Sequence, residues 1–303
     1  MPDQGRSARP SPDQPLIQAV GAMLNVEVER LLKQEAAAVS DDPEGIHHMR
    51  VSARRLRGLL RILGPRLDRL WMRTVSDEVG WLAAELGVTR DLDVLHDALI
   101  LHGNRLGRPL PAALEMELQG RRRAGRAGLK ALFAGARYQR LRQTLTRAAQ
   151  SPEVTGNPRR PAGPALRKRL DRAARALRAS FRAIAVGYDQ LSDAHLHEVR
   201  KRAKDLRYSA EAVAPWLGRV NGRRAQALAK RLARATDTLG LFQDQVTQPA
   251  RLLALAANVH GTNLEWLESC MAGVGRQRGH TLNEISQHAG RWIRKSDLDW
   301  QED

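Results

Sequence analysis

Residues 43–63 read PEGIHHMRVSARRLRGLLRIL, and residues 193–213 read DAHLHEVRKRAKDLRYSAEAV. The segments lie 150 positions apart and repeat one design. At about 100° per residue, His47, Arg50, Arg54 and Arg57 fall within roughly 80° of one helix face. His197, Arg200, Lys204 and Arg207 do the same at identical offsets. The opposite face is apolar in both: Met49, Ala53, Leu56, Leu60 and Leu63 in the first, Val199, Ala203, Leu206, Ala210 and Val213 in the second. Each segment therefore predicts an amphipathic helix whose outer face carries a cationic stripe headed by a histidine. Asp42 and Ser192 are N-cap residue types placed five positions before each histidine, and Pro43 suits a first helical position. The stripes begin near helix N-termini, where free N–H groups and the macrodipole also favour anions. Arg61 prolongs the first stripe, whereas Glu211 stands at the equivalent place in the second.

The charge balance agrees with an anionic partner. Fifty Lys and Arg against 33 Asp and Glu give a formal charge of +17, and only seven of the fifty are lysine. Arginine grips phosphate oxygens in a fixed, often bidentate fork. A hydrophobic content of 42% over 303 residues is enough for a sizeable core. The one cysteine, Cys270, rules out intrachain disulfides and cysteine-based metal clusters. No apolar leader or long uninterrupted apolar run occurs, so the expectation is a soluble, cytoplasmic protein.

Beyond the stripes, apolar residues recur at helical spacing from Leu16 onward and no segment alternates like a strand, which predicts an all-α fold. Residues 1–14, rich in Pro, Ser and charge, read as a disordered tail. The folded part, 15–298, divides into a first helical half at 15–150, a Pro/Gly-rich linker at 151–164 and a second half at 165–296. Other breaks are expected at Asp41 to Gly45, Gly64-Pro65, Gly87 and Gly103 to Pro111. Leu86-Gly87 before Arg90-Asp91 and Leu239-Gly240 before Gln243-Asp244 read as matched helix stops, each followed by a helix with an acidic residue near its start. Such repetition predicts two copies of one unit packed about a pseudo-twofold axis, with the stripes face to face.

The strings from His47 to Arg57, Arg90 to Leu95 and His197 to Tyr208 resemble those of the CHAD domain, the conserved histidine α-helical domain, over nearly the whole chain. The resemblance implies two pseudo-symmetric four-helix-bundle halves around a central basic cavity that binds inorganic polyphosphate, and association with polyphosphate granules. It places the ligand on His47, Arg50, Arg54, Arg57, Arg61, His197, Arg200, Lys204 and Arg207. At the second acidic motif Gln243 replaces the cation found at Arg90.

Other residues invite other chemistry. Asp91, Asp93 and Asp244 are isolated carboxylates, read as salt-bridge or dipole partners rather than metal ligands or catalysts. Glu44 and His47 form a Glu-x-x-His pair, but Ala194 occupies the matching place in the second copy, so no di-iron site is expected. The sets Lys168, Arg172, Arg175, Arg182 and Arg223, Lys230, Arg234 read as solvated faces, as do Arg121 to Arg123 and Arg126. A single-stranded RNA binder is the alternative function. Six Trp, three Tyr and three Phe are few, and none lies on a stripe where a base could stack. A phosphate-processing enzyme would need a metal-holding acidic cluster or a glycine-rich phosphate loop, and neither pattern is present. The sequence thus predicts non-catalytic binding, with no cofactor, no metal and no membrane contact.

Overall fold

The computed structural model describes residues 9–40, 42–187, 192–256 and 262–301, so residues 1–8 of the expected tail, and Asp41 of the first expected break, lie outside the described residues. The chain is all-α. In order come α1 (Leu16–Lys33), α2 (Glu35–Ala38), α3 (Pro43–Leu63), α4 (Arg69–Leu106), α5 (Ala112–Ala134) and α6 (Ala136–Gln150). They are followed by α7 (Ala162–Gly187), α8 (Asp193–Val213), α9 (Gly218–Ala256) and α10 (Thr262–Ala289).

The two stripe segments form α3 and α8, and their start signals work as the sequence predicts. Asp42 accepts from the Glu44 N–H at 2.9 Å, and Ser192 accepts from the His195 N–H at 3.2 Å. Each stripe helix has 21 residues and runs into a proline-containing 3-10 turn, Gly64–Arg66 or Ala214–Trp216. A helix of 38 residues, α4, follows the first and one of 39, α9, follows the second. The predicted apolar faces are inside: Met49, Ala53, Leu56, Leu60, Val199 and Ala210 are each at most 1% exposed. Burying a leucine of this kind stabilises the fold by about 1.5–3 kcal/mol.

Gly87 and Gly240 do not stop helices, contrary to the reading of the sequence. Both lie inside the long helices α4 and α9, so Asp91 and Asp244 are mid-helix residues rather than first-turn ones. The true end of α4 is Gly107, which adopts φ 62° while the Arg108 N–H returns to the Gly103 carbonyl at 3.0 Å.

One apolar cluster runs through both halves, joining α1, α3, α4 and α6 to α7, α8, α9 and α10. A second, smaller cluster ties the far ends of α4 and α9 to α5 and α10, around Leu99, Leu114, Leu252 and Trp266. The segment between the halves is pinned to the first half. Asp68 N–H donates to Glu153 O at 3.1 Å, Thr155 N–H to Arg66 O at 2.9 Å, and Leu16 N–H to Arg160 O at 2.9 Å. Its last residues already belong to α7. The end of the expected tail is held as well, since Pro12 and Gln14 carbonyls accept from the Gly163 and Ala162 N–H groups at 2.8 and 2.9 Å.

Helices α3 and α8 cross in direct contact. A Cβ on Gly58 would sit 3.2 Å from the Asp205 carbonyl oxygen, and Ser209 Oγ donates to the Gly58 carbonyl at 3.1 Å. That close approach sets the two stripes beside each other.

Candidate polyanion site

The stripes converge on one cavity of about 340 Å³. Its α3 wall is Arg50, Arg54, Arg57 and Arg61, and its α8 wall is His197, Arg200, Lys201 and Lys204. Gly80, Ala83 and Ala84 of α4 close the third side. These small residues leave room for long cationic side chains.

The glycines misread as helix stops serve the same end. A Cβ on Gly87 would collide with the Arg50 guanidinium, and one on Gly240 would lie 3.2 Å from Arg200 Nη2. Gly80 does the same for Arg57, whose guanidinium carbon lies 3.5 Å from the place of the missing Cβ. Arginines on the stripes are thus laid flat on bare helix backbone of α4 and α9. Sequence reasoning missed this role, although the recurrence of a Leu-Gly pair at nearly the same distance after each stripe, at Gly87 and Gly240, carried the signal.

The cavity holds more cations than its carboxylates can neutralise. Arg61 pairs with Asp205, Lys201 with Glu198 at 2.6 Å, and Arg50 approaches Asp91 at 3.9 Å. Asp91 is held more tightly by Arg251 of α9, at 2.7 Å. Among the described residues no ion pair reaches Arg54, Arg57, Arg200 or Lys204. Arg57 Nε, Arg200 Nε and His197 Nδ1 are buried without a hydrogen-bond partner. Such groups are costly in a folded protein unless a ligand or solvent meets them. Burial, reinforced by Arg54 and Arg200, pulls the Lys204 ammonium down to about 6. Burial likewise lowers the Arg50 and Arg200 guanidinium groups from their ordinary range.

Two expected ligands lie elsewhere. His47 does not line the cavity; it is half-buried beside Arg90 and Glu44, with its ring 5.7 Å from that of His48, and burial and Arg90 lower its pKa. Arg207 turns to the opposite flank because Glu211 stands where the first stripe has Arg61. It donates to Glu211 at 3.2 Å and lies over the Tyr208 ring.

Asp93 is structural, fully buried between Arg122 at 2.7 Å and Arg126 at 3.3 Å. Arg126 is therefore buried, not solvated as its sequence context suggested, and its Nε reaches the Ser40 carbonyl at 3.0 Å to anchor α5 to the loop before α3. Arg223, Lys230 and Arg234 are exposed, and Arg175 pairs with Asp171 at 2.8 Å. Among the described residues no group of three or more His, Cys, Asp or Glu could hold a metal, and no helix is long and apolar enough to cross a membrane.

The family model for the CHAD domain matches residues 22–253. The chain belongs to the CHAD domain family. Among solved structures, the CHAD domain from the plant Ricinus communis superposes with a TM-score of 0.67 at 23% identity, covering 96% of this chain and 97% of that one. PptA from Streptomyces chartreusis gives a TM-score of 0.70 at 19% identity, covering 91% and 99%. These likenesses establish the CHAD fold. Uncharacterized proteins from two strains of Mycobacterium tuberculosis are 30% identical over 262 residues, which is 83% of this chain and 48% of theirs. This CHAD chain thus spans about half the length of those curated relatives.

Proposed function

We propose that this CHAD domain binds inorganic polyphosphate in the cavity between α3 and α8 and does not turn it over. The observation that carries the reading is the group of three arginines, Arg54, Arg57 and Arg200, that converge from two helices with Lys204 among them and without an ion-paired carboxylate. Like charges held this close destabilise the empty cavity, and a polyanion relieves them. Arginine forks suit the repeated terminal oxygens of a phosphoanhydride chain. No Phe, Tyr or Trp lines the cavity, so a nucleobase finds no large aromatic platform there, which favours polyphosphate over RNA. Membership in a family known from polyphosphate-related proteins supports the same ligand and a place at polyphosphate granules.

Isothermal titration of long-chain polyphosphate and single-stranded RNA, matched in charge and salt, tests the reading. Polyphosphate should bind more tightly, with affinity falling steeply as salt rises. Arg54→Glu and Lys204→Glu, one on each helix, should each weaken binding about 10–100-fold at unchanged stoichiometry, since a charge-assisted contact is worth about 1.5–3 kcal/mol. Equal affinity for both polymers would overturn the ligand assignment, and half-stoichiometry with intact affinity would overturn the shared cavity. No phosphate should be released with Mg²⁺ or Mn²⁺ present. Release that vanishes in Asp91→Asn would refute the non-catalytic reading.

A further inference from the structure

A second cavity of about 290 Å³ opens where α3, α7 and α8 meet. It shares Arg61 and Asp205 with the main cavity, so the two adjoin across that ion pair. Beyond the pair its cationic lining is Arg202 of α8 and Arg169 of α7. Arg202 is exposed, and shares Glu198 with Lys201 at 3.5 Å. Arg169 makes no ion pair among the described residues; its one hydrogen bond is a long one, 3.3 Å, to the Ile62 carbonyl. Arg66 and Arg172 lie close enough to Arg169 to depress its pKa further, after burial itself. Arg66 Nε is buried and unpartnered. Positive charge therefore continues outward from Arg57 and Arg61 past Arg202 to Arg169 and Arg172.

The other flank of the crossing is different, and the sequence shows why. Where the first stripe has Gly58 and Arg61, the second has Tyr208 and Glu211. Tyr208 is buried at 7% exposure, sandwiched near Arg55 and Arg207, whose guanidinium carbons lie 5.1 and 5.4 Å from its ring centre. Arg55 is clamped between Glu27 at 3.1 Å and Glu211 at 2.5 Å, and Arg207 also pairs with Glu211. This flank is filled by an aromatic ring, and its cations are already neutralised.

We infer that a polyphosphate chain longer than the main cavity continues on one flank only, over the Arg61–Asp205 pair and along Arg202 and Arg169. This rests on the polyphosphate reading above. Gly58 lines that flank and lets α8 pack closely beneath it, since a Cβ there would lie 3.2 Å from the Asp205 carbonyl oxygen. The extension adds phosphate contacts without enlarging the central cavity, so it acts as a chain-length selector.

The test compares tripolyphosphate with long-chain polyphosphate on the full chain. Arg169→Glu with Arg202→Glu should weaken the long chain at least tenfold and lower its salt slope by about 1–2, as expected for two lost phosphate contacts. Tripolyphosphate affinity should stay within twofold. Arg123→Glu with Arg142→Glu, exposed residues of α5 and α6, makes the same change in net charge and should leave both ligands within twofold. The neutral pair Arg169→Gln with Arg202→Gln should show the same selectivity at smaller size, should the reversed pair fold poorly. Unchanged long-chain affinity, or equal losses for both ligands, would overturn the extension while leaving the central site standing. Failure of the unmodified protein to bind either ligand would overturn both readings.

Discussion

Replacing Gly87 by alanine should make the protein more stable and a worse binder at once. Glycine inside a helix costs about 1 kcal/mol relative to alanine, and Gly87 lies in the interior of α4. The new methyl group would occupy the place of the Arg50 guanidinium, which is the far end of a flexible side chain and can swing aside. Its ion pair with Asp91 is long, 3.9 Å, and partly exposed, so losing it removes well under 1 kcal/mol. Stability should then rise by about 0.5–1 kcal/mol, a melting shift of about 1–3 °C for a chain of this size. Affinity should fall about tenfold or more, because one charge-assisted contact of about 1.5–3 kcal/mol is displaced from the cavity. Gly120→Ala in α5 is the reference, since a Cβ there meets nothing within 4 Å. It should give the stability gain alone. Denaturant melts and polyphosphate titrations on the three proteins decide the matter. A Gly87→Ala protein that binds like the unmodified one would show that Arg50 does not touch the ligand, and one clearly less stable would show that Arg50 is locked in place.

Lys204, drawn down to about 6 by burial and by Arg54, Arg200 and Arg50 against the opposing pull of Asp244, should be largely neutral at pH 7 in the empty cavity. Its folded pKa lies below its unfolded one, so stability should rise with pH between about 6 and the ordinary lysine range, and Lys204→Met should flatten that rise. A bound anion restores the charge, so binding at pH 7 should take up a proton, read as a buffer-dependent heat that disappears in Lys204→Arg. His197→Gln should weaken polyphosphate binding several-fold, whereas His47→Gln should leave it unchanged at pH 7; the reverse order would put His47 in the cavity after all. Removing both Arg122 and Arg126 with methionine leaves Asp93 buried without a cation, and should destabilise the fold by about 3–5 kcal/mol. A melt that shifts by less than 1 kcal/mol would show that the two arginines do not hold Asp93 in place.

The stripes were legible because the chain states them twice. A single run of arginines on a helix face is ordinary solvation, but Arg50, Arg54 and Arg57 against Arg200, Lys204 and Arg207 repeat position by position. What misled was residue type without its neighbours. Glycine marks a helix end at Gly107, where Pro109 and Pro111 follow, and marks a cushion at Gly87, where the apolar rhythm of Val79, Leu82 and Leu86 resumes at Leu95 and Leu99. Arg126 reads as solvated because its helical neighbours are Arg, Gly and Ala; its partner Asp93 lies 33 residues away, a separation that helix periodicity does not span. Arg207 follows the stripe in spacing, yet Glu211 one turn later on α8 and Tyr208 beside it draw it to the other flank. His47 matches His197 in the sequence and not in space, since Arg90 and Glu44 stand beside it while Gln243 and Ala194 occupy the matching places of the second copy.

The apolar cluster that threads α1, α3 and α4 together with α7, α8 and α9 gives the chain a single thermodynamic fate. Neither repeat can melt while the other keeps its interior dry, so an anion lodged at their seam braces the whole chain and not one lobe. Excess polyphosphate should move one sharp transition upward without splitting it in two. By the same coupling, a core lesion such as Leu170→Ala on α7 should lower the melting point of the whole chain and leave polyphosphate affinity unchanged until the folded fraction itself falls.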